Sequence, residues 1–588
     1  MKKLLVLILA LAMLACCCVA IADDTGTVQI RVMLTSDIHG AIVDSAYSSG
    51  DAETVQGTSL ARLATLIKQY RAEYPNNILI DDGDTMQGTP LTYYYAFYKQ
   101  DVVDPTMKAM RVLDYDVWTL GNHEFNYGMD ILKKQIADIT APATEGEDAV
   151  AVLAANFVAS GSDDFTPWQQ AYTVLEFEGV KVGIIGMDTP NIPTWDKPEN
   201  WAGIDFKTFL TTWQHYATVL KEDEGCDIVI LSCHSGAGTS QGTLVEAADL
   251  GEAMNGEGQY YDGSYENEIA AVIENTTGID LVLGGHTHEA GTYTLTNAEG
   301  KEVTVHHCGT KCRYLGVIDL TYDKATGELT VAAENVDAKE VEPDADFLAV
   351  MADYETTTWN DYLLDTIGTA SGDFMSPGNM LEANAFLDLV NEVQLEATGA
   401  QLSISAPLNS SDGVVIPAGD IKLGLMFQLY VYENWLYNIN MTGAEIKEWL
   451  EFSATHYEVQ ADGTVTGGGL YCDTLYGEGV SYEIYLGNEV GDRVRNITYK
   501  GEPLDMEATY QVAINNYRFT GGGYYIENVS TMEPADSSRV NFSTQYDMEQ
   551  GEDLGQVRNL LTQYIRDHGT IDPVVTSEFH VYAEASAE

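Results

Sequence analysis

Leu120-Gly121-Asn122-His123-Glu124-Phe125-Asn126 decides how the rest of the chain is read. It follows an apolar, strand-like run from Tyr115 to Leu120 and sets an amide, an imidazole and a carboxylate side by side where a strand gives way to a loop. Four more segments have this form, each an apolar run ending in residues able to ligate a metal. Ile30-Arg31-Val32-Met33-Leu34-Thr35-Ser36 leads into Asp37-Ile38-His39-Gly40, and Ile78-Leu79-Ile80 into Asp81-Asp82-Gly83-Asp84. Ile228-Val229-Ile230-Leu231-Ser232-Cys233 leads into His234, and Leu281-Val282-Leu283 into Gly284-Gly285-His286-Thr287-His288. A strand buried on both faces of a parallel sheet reads as a short continuous apolar run, and α/β proteins place ligands at the carboxyl ends of such strands. The five ends are expected to meet on one rim.

Between them, Ser59 to Tyr70, Pro105 to Leu113 and Phe206 to Leu220 carry apolar residues at helical spacing. Strand and helix alternating from Thr27 to about Val341 predict an α/β domain with a large sheet. From Thr189 to Ile204 the pattern stops, and its prolines and tryptophans predict a loop that walls a site. Ala237 to Gly263, with six glycines, reads as a second loop. Ala345 to Leu364 is helix-permissive, with Phe347, Val350, Met351 and Tyr354 on one face. Further on, helices are expected at Ala385 to Ala397 and Gly443 to Ser453, and strands at Tyr482 to Leu486 and Tyr510 to Asn515.

A chain of 588 residues is too long for one core, so two domains are expected. Lys2 and Lys3, an apolar stretch, and Ala20-Ile21-Ala22 before Asp23 read as a cleaved export signal; Cys16 in Met13-Leu14-Ala15-Cys16 gives the alternative of a lipid anchor. No other run of 18 apolar residues occurs, so no membrane span is expected in the mature chain. Export permits disulfides, and Cys308 and Cys312 flank a turn where they either bridge or stay as thiols; Cys226, Cys233 and Cys472 read as buried thiols. A formal charge of −61 with no basic stripe argues against polymeric nucleic acid as partner, since nothing would displace counterions from its backbone. Small anions stay open, because screening over about 8 Å isolates a local cationic site from a distant negative surface.

Collected, the strand ends offer Asp37, His39, Asp84, Asn122, His234, His286 and His288. Imidazole and oxygen ligands without thiolate suit divalent Zn, Mn, Fe or Co, and seven are too many for one ion. Two ions about 3.5–4 Å apart would use them all, acidify a water and neutralise charge on a phosphoryl group. His123, left over in that count, is placed to stabilise a leaving oxygen.

SDIHG, GDTMQG, GNHEFN, the His after ILSC and GGHTHE, in this order, resemble the calcineurin-type metallophosphoesterase domain of secreted bacterial nucleotidases. Tyr430-Val431-Tyr432-Glu433-Asn434 and Asn515-Asn516-Tyr517-Arg518-Phe519-Thr520-Gly521-Gly522-Gly523-Tyr524 resemble that family's nucleotide-binding domain. The resemblance implies a four-layer calcineurin-like α/β domain over 23–341 after a signal at 1–22. A linker helix over 342–364 and a 5′-nucleotidase-type C-terminal α/β domain over 365–588 would follow. It implies one metal on Asp37, His39, Asp84 and His288 and another on Asp84, Asn122, His234 and His286, with Asp84 bridging. Tyr432 and Tyr517 would sandwich a base, with Asn434, Arg518, Gly521, Gly522 and Gly523 around it; stacking contributes roughly 1–3 kcal/mol and tolerates any base.

Two departures separate branches of the family. The 5′-nucleotidases usually end GNHEFN in Asp and carry an arginine-bearing segment, whereas position 126 is Asn and Ser405-Ala406-Pro407-Leu408-Asn409 into Gly419-Asp420 has no arginine. Both resemble the 2′,3′-cyclic-nucleotide 2′-phosphodiesterase/3′-nucleotidase branch, as do the loop from Thr189 to Trp195 and Asp262-Gly263-Ser264-Tyr265-Glu266-Asn267. Asn126 has no charge to lend His123 but can orient its ring. The expectation is an exported, monomeric two-metal hydrolase of cyclic nucleotides and 3′-nucleotides. A 5′-nucleotidase or broader sugar-nucleotide phosphoesterase is the alternative within the enzymes. An inactive surface-binding protein on the same fold is the alternative outside them.

Overall fold

The computed structural model describes residues 26–45, 47, 57–141, 149–162, 165–196, 198–236, 267–376, 380–407, 413–430, 432, 434–546 and 554–587. The expected signal and its cysteines, the expected loop at 237–263, residues 262–266, and 431, 433, 408 and 409 in the quoted motifs lie outside these residues. So do Thr194, in its side chain, and Lys197.

The five strand ends belong to two facing six-stranded sheets, where a single large sheet is predicted. The first runs Glu328–Asp337, Tyr314–Asp323, Thr27–Thr35, Asn77–Asp81, Val117–Thr119, Ala151–Leu153. The second runs Ala290–Thr296, Glu302–Cys308, Leu281–Gly284, Ile228–His234, Val180–Asp188, Tyr172–Phe177. The reason lies between them: Ile30, Val32, Leu34, Ile78, Ile80 and Val117 from one sheet bury against Val182, Ile184, Ile228, Ile230, Leu281 and Leu283 from the other. The five strands that carry the motifs are apolar on both faces because the second face of each meets helices. Leu60–Glu73 and Pro105–Val112 cover the first sheet, and Phe209–Thr218 and Ile269–Asn275 cover the second. Two sheets inside two helical layers give four layers, and the rims of both sheets meet at one end.

Local chemistry sets where the helices start. The Asp104 carboxylate accepts from the N–H groups of Thr106 and Met107 ahead of Pro105, which has no N–H to satisfy. The predicted helix from Phe206 begins later, since Ile204–Phe206 is a strand paired with Phe157–Ala159. Ala345–Thr358 is helical, with Asp344 capping the N–H of Phe347, and it continues as one π turn to Leu363. Phe347 and Met351 are buried as expected, but Val350 is exposed.

Beyond this helix a five-stranded sheet runs Thr474–Gly477, Leu402–Ser405, Thr509–Asn515, Leu436–Thr442, Val540–Ser543. Asn384 caps the helix Ala385–Thr398, which ends at a left-handed Gly399. Gly443–Ser453 starts on a reciprocal box between Thr442 and Glu445. The two halves touch around Tyr93, on the helix Pro90–Tyr98 that leaves the Asp84 loop. Its ring lies 5.6 Å from Phe427, its hydroxyl accepts from Asn559 Nδ2 at 2.9 Å, and the Arg558 guanidinium sits 5.1 Å above it. All five described cysteines are free thiols, Cys308 and Cys312 included. Among the described residues no helix is long and apolar enough to cross a membrane.

Candidate active site

The seven oxygen and nitrogen ligands named from the sequence come together where the two rims meet. Asp37, His39 and His288 form one group and Asp84, His234 and His286 another, each with ligand atoms within 4.8 Å of one another. Asn122 joins the second group, its Oδ1 2.9 Å from His286 Nδ1. Five of the seven hold left-handed backbone: Asp37 (φ 51°), His39 (49°), Asp84 (54°), His286 (68°) and His288 (60°). Each costs about 1–3 kcal/mol, and such strain persists only where surrounding structure over-determines it. Here the strand ends supply the constraint. Asp37 N–H donates to Gly83 O at 2.8 Å, His39 N–H to Asp84 O at 2.9 Å and His123 N–H to Asp84 Oδ1 at 2.8 Å. Gly285 must be glycine, because a Cβ there would lie 2.3 Å from Ser36 Oγ and 3.1 Å from Asp37 Oδ2.

Second partners fix the rings. His39 Nδ1 sits 2.8 Å from Gln87 O and His234 Nδ1 2.5 Å from Asp82 O. Carbonyl oxygens only accept, so both Nδ1 atoms carry protons and both Nε2 lone pairs face inward. His39 Nε2 then lies 3.0 Å from His288 Nε2, and the buried His234 Nε2 lies 3.0 Å from Asp84 Oδ2 without hydrogen-bond geometry. Burial pushes Asp37 up against the opposing pull of His234, and it lowers His39 to about 3 and His288 below its ordinary value. Neutral imidazole is the ligating form, which burial favours at His39 and His288; at His234 burial is outweighed by the Asp84 and Asp37 carboxylates, which raise it well above its ordinary value. Burial opposes but does not prevent the fall of Asp84 well below the usual carboxylate range, because His234 and His123 stand beside it. Facing lone pairs and two buried carboxylates whose ion pairs are to histidines fit divalent cations.

Other side chains complete the site. His123 lies T-shaped to His39 at 5.1 Å between ring centres, with Nε2 3.9 Å from Asp84 Oδ2. Its Nδ1 lies 2.5 Å from Asn126 Oδ1, and Asn126 Nδ2 donates to Asp196 Oδ2 at 3.0 Å. Trp195 stacks on His286 at 5.4 Å, so the loop from Thr189 to Ile204 does wall the cluster. Two further residues were not singled out in the sequence. Glu124 accepts from the N–H groups of Asp84, Thr85 and Gly121 at 2.9, 2.7 and 2.6 Å, tying two strand ends together. It lay inside the quoted motif, but no spacing rule marks a carboxylate that braces backbone. Asp196 carried no signal, since nothing in the loop's sequence says which residue faces Asn126.

The aromatic set forms a second cluster at the end of the five-stranded sheet. Trp435 N–H donates to Asn516 Oδ1 at 3.1 Å and Asn516 N–H to Trp435 O at 3.0 Å, which brings the Tyr432 and Tyr517 segments side by side. Both tyrosines are exposed, at 48% and 46%. Asn434 is half-buried, its O accepting from Val557 N–H at 2.8 Å. Arg518 lies under the loop: its guanidinium bonds both oxygens of Asp473 at 3.0–3.2 Å and donates to Gly522 O at 3.2 Å. Gly521 (φ 107°) and Gly523 (φ 76°) need glycine's freedom, and a Cβ on Gly522 would lie 2.5 Å from the Tyr517 ring.

Paired cation sites beside a histidine, on the rim of a four-layer sandwich, are built for phosphoesters, and the class is that of a metallophosphoesterase, a hydrolase. Residues 30–290 match the calcineurin-like phosphoesterase family and 366–529 the 5′-nucleotidase C-terminal domain. The chain carries a calcineurin-like phosphoesterase domain followed by a 5′-nucleotidase C-terminal domain. It is 28% identical over 572 residues to a Haemophilus influenzae 2′,3′-cyclic-nucleotide 2′-phosphodiesterase/3′-nucleotidase, covering 86% of this chain and 82% of that relative. A trifunctional nucleotide phosphoesterase of Bacillus subtilis is 27% identical over 94% of this chain, which spans only 39% of that relative's length. A solved Staphylococcus aureus structure shares the fold with a TM-score of 0.73 at 24% identity, over 94% of this chain and all of that one.

Proposed function

We propose that the protein hydrolyses 2′,3′-cyclic nucleotides to 3′-nucleotides and then to nucleoside and phosphate, outside the cytoplasm. The observation that carries the branch is Asn126: an amide, not a carboxylate, stands behind His123. Relatives bearing the cyclic-nucleotide name at 27–28% identity support it. In this reading 23–341 carries the chemistry and 365–588 base recognition, divided at the helix Ala345–Thr358.

Asp37, His39, Asp84 and His288 would hold one divalent ion and Asp84, Asn122, His234 and His286 the other. When bound, the pair acidifies water and neutralises phosphoryl charge. The remaining work falls to the chain. A water oxygen bonds to phosphorus and loses a proton to solvent as the P–O2′ bond breaks and O2′ takes up a proton, and in the second round the same exchange occurs at the P–O3′ bond. His123, donating from Nδ1 to Asn126, meets the departing oxygen from Nε2 as a ring protonated on both nitrogens. Tyr432 and Tyr517 would stack on the base, and Arg518 holds the glycine loop in place for it.

Phosphate and nucleoside release from 2′,3′-cyclic AMP, 3′-AMP and 5′-AMP, with and without chelator, tests the proposal. Chelator-sensitive turnover of the first two over 5′-AMP is expected. Preference for 5′-AMP would instead support the 5′-nucleotidase reading, which the matched C-terminal domain also fits. No turnover of any ester would point to a binding protein.

A further inference from the structure

We propose that Asp196 is a positioning residue that sets the orientation and tautomer of His123 through the side-chain amide of Asn126. The inference rests on the role given above to His123.

An amide is two-faced: its oxygen and its NH2 have nearly the same shape, so asparagine alone would hold an imidazole in either tautomer. Asp196 removes the ambiguity. Its carboxylate can only accept, so the Asn126 NH2 turns toward it, at 3.0 Å, and the Asn126 oxygen turns toward His123. In the neutral ring Nδ1 of His123 is then the protonated nitrogen, and Nε2, the atom presented to the ligand cluster 3.9 Å from Asp84 Oδ2, is the one that takes the second proton for the reaction. Asp196 is itself buried, at 7% exposure. It is held by Asn200, whose Nδ2 donates to Asp196 Oδ1 at 2.7 Å and reaches the Asn126 carbonyl at 3.4 Å. The neighbouring Trp195 stacks on His286. One turn of the wall therefore steadies His286 through its indole and His123 through its carboxylate. A carboxylate at 126 would place negative charge directly on the ring; this chain places it one amide further out.

The test uses the full-length, metal-loaded enzyme and two esters with unlike leaving groups: 4-nitrophenyl phosphate, whose phenolate leaves unaided, and 3′-AMP, whose alkoxide does not. Asp196→Ala is expected to lower kcat on 3′-AMP by about 10–100-fold with KM little changed, and to leave 4-nitrophenyl phosphate within about threefold, since only the poor leaving group needs His123. Asn126→Ala should lower kcat on 3′-AMP to the same extent, and on that ester the double variant should be no worse than either single one. Asn126→Asp alone sets two carboxylates against each other and should be as impaired; Asn126→Asp with Asp196→Asn moves the charge inward and should restore the rate. Equal losses on both esters, additive singles, or no rescue by the paired exchange would overturn the proposal.

A wild-type enzyme that cleaves 4-nitrophenyl phosphate but no nucleotide would sink the proposed substrate and not the relay. Nitrogen-15 histidine spectra of metal-free protein decide the relay independently of turnover. Wild type should show His123 protonated at Nδ1, and a variant with Asp196→Ala should show both tautomers. Should that variant fail to fold, the paired exchange carries the test: a His123 tautomer that differs from wild type in it would refute the relay.

Discussion

The two clusters are built on opposite terms. At the rim of the sandwich Asp37, His39, Asp84, Asn122 and His234 are buried while His286 is half-buried and His288 exposed, the backbone is strained at five positions, and the Asp37, Asp84 and Asn122 loops are tied together by hydrogen bonds through Asp84, Glu124 and Gly83. At the end of the five-stranded sheet Tyr432, Tyr517 and Tyr524 stand exposed, and the order lies beneath them in Arg518 and Asp473. On the proposed function the difference follows from what each would hold. Cations and a phosphoryl group need ligands fixed to a few tenths of an ångström, which only over-determined structure supplies. A base needs a flat apolar surface, and stacking tolerates small displacements and any base. The first region therefore fails in the chemical step, and the second in affinity or stability.

Substitutions sharpen or break that contrast. Asp84→Asn removes the carboxylate that both ions share in the proposed reading; hydrolysis of every ester should fall by about 10³-fold or more, with substrate affinity by calorimetry little changed. A loss confined to affinity would erase the distinction. Arg518→Ala leaves the buried Asp473 carboxylate without its cation, with only the Trp449 indole N–H among the described residues donating to its side chain, and should cost about 3–5 kcal/mol of stability in denaturant unfolding while raising KM. Unchanged stability would mean that the guanidinium serves the ligand directly. Tyr517→Ala should raise KM by the loss of one stacked ring, roughly 1–3 kcal/mol, with kcat nearly unchanged, and Tyr517→Phe should be close to neutral. A fall in kcat alone would place Tyr517 in the chemistry.

The smallest effect lies below the aromatic cluster. Glu445 caps the helix Gly443–Ser453; partial burial works against its charge, but Arg539 and Thr531 hold its carboxyl below the ordinary value. A depressed folded-state pKa stabilises above the unfolded value and is lost as pH falls through the folded one. Glu445→Gln should therefore cost about 0.5–1 kcal/mol near neutral pH, and the difference from wild type should vanish in acid. A penalty that persists unchanged in acid would assign the effect to packing.

Much of this was legible in one dimension for a definite reason. Apolar runs ending in Asp, His and Asn identify strand ends by composition alone, and five in order leave little freedom over what they share. Helices at 60–73, 385–398 and 443–453 were legible because caps and periodicity are local. Tyr517 and the three glycines were legible because a ring beside residues without side chains is a local pattern too.

What the sequence could not carry is contact between distant segments. That the strands divide between two sheets depends on which apolar face meets which, and both faces read alike. That Arg518 is buried against Asp473 depends on a residue 45 positions away. That Asn126 has a carboxylate behind it depends on one 70 positions away. From the sequence alone position 126 is a neutral residue where a charge is usual. Only the packing of the Thr189 to Ile204 loop against the rim puts that charge back, because a hydrogen bond needs two atoms within about 3 Å and chain order says nothing about that distance.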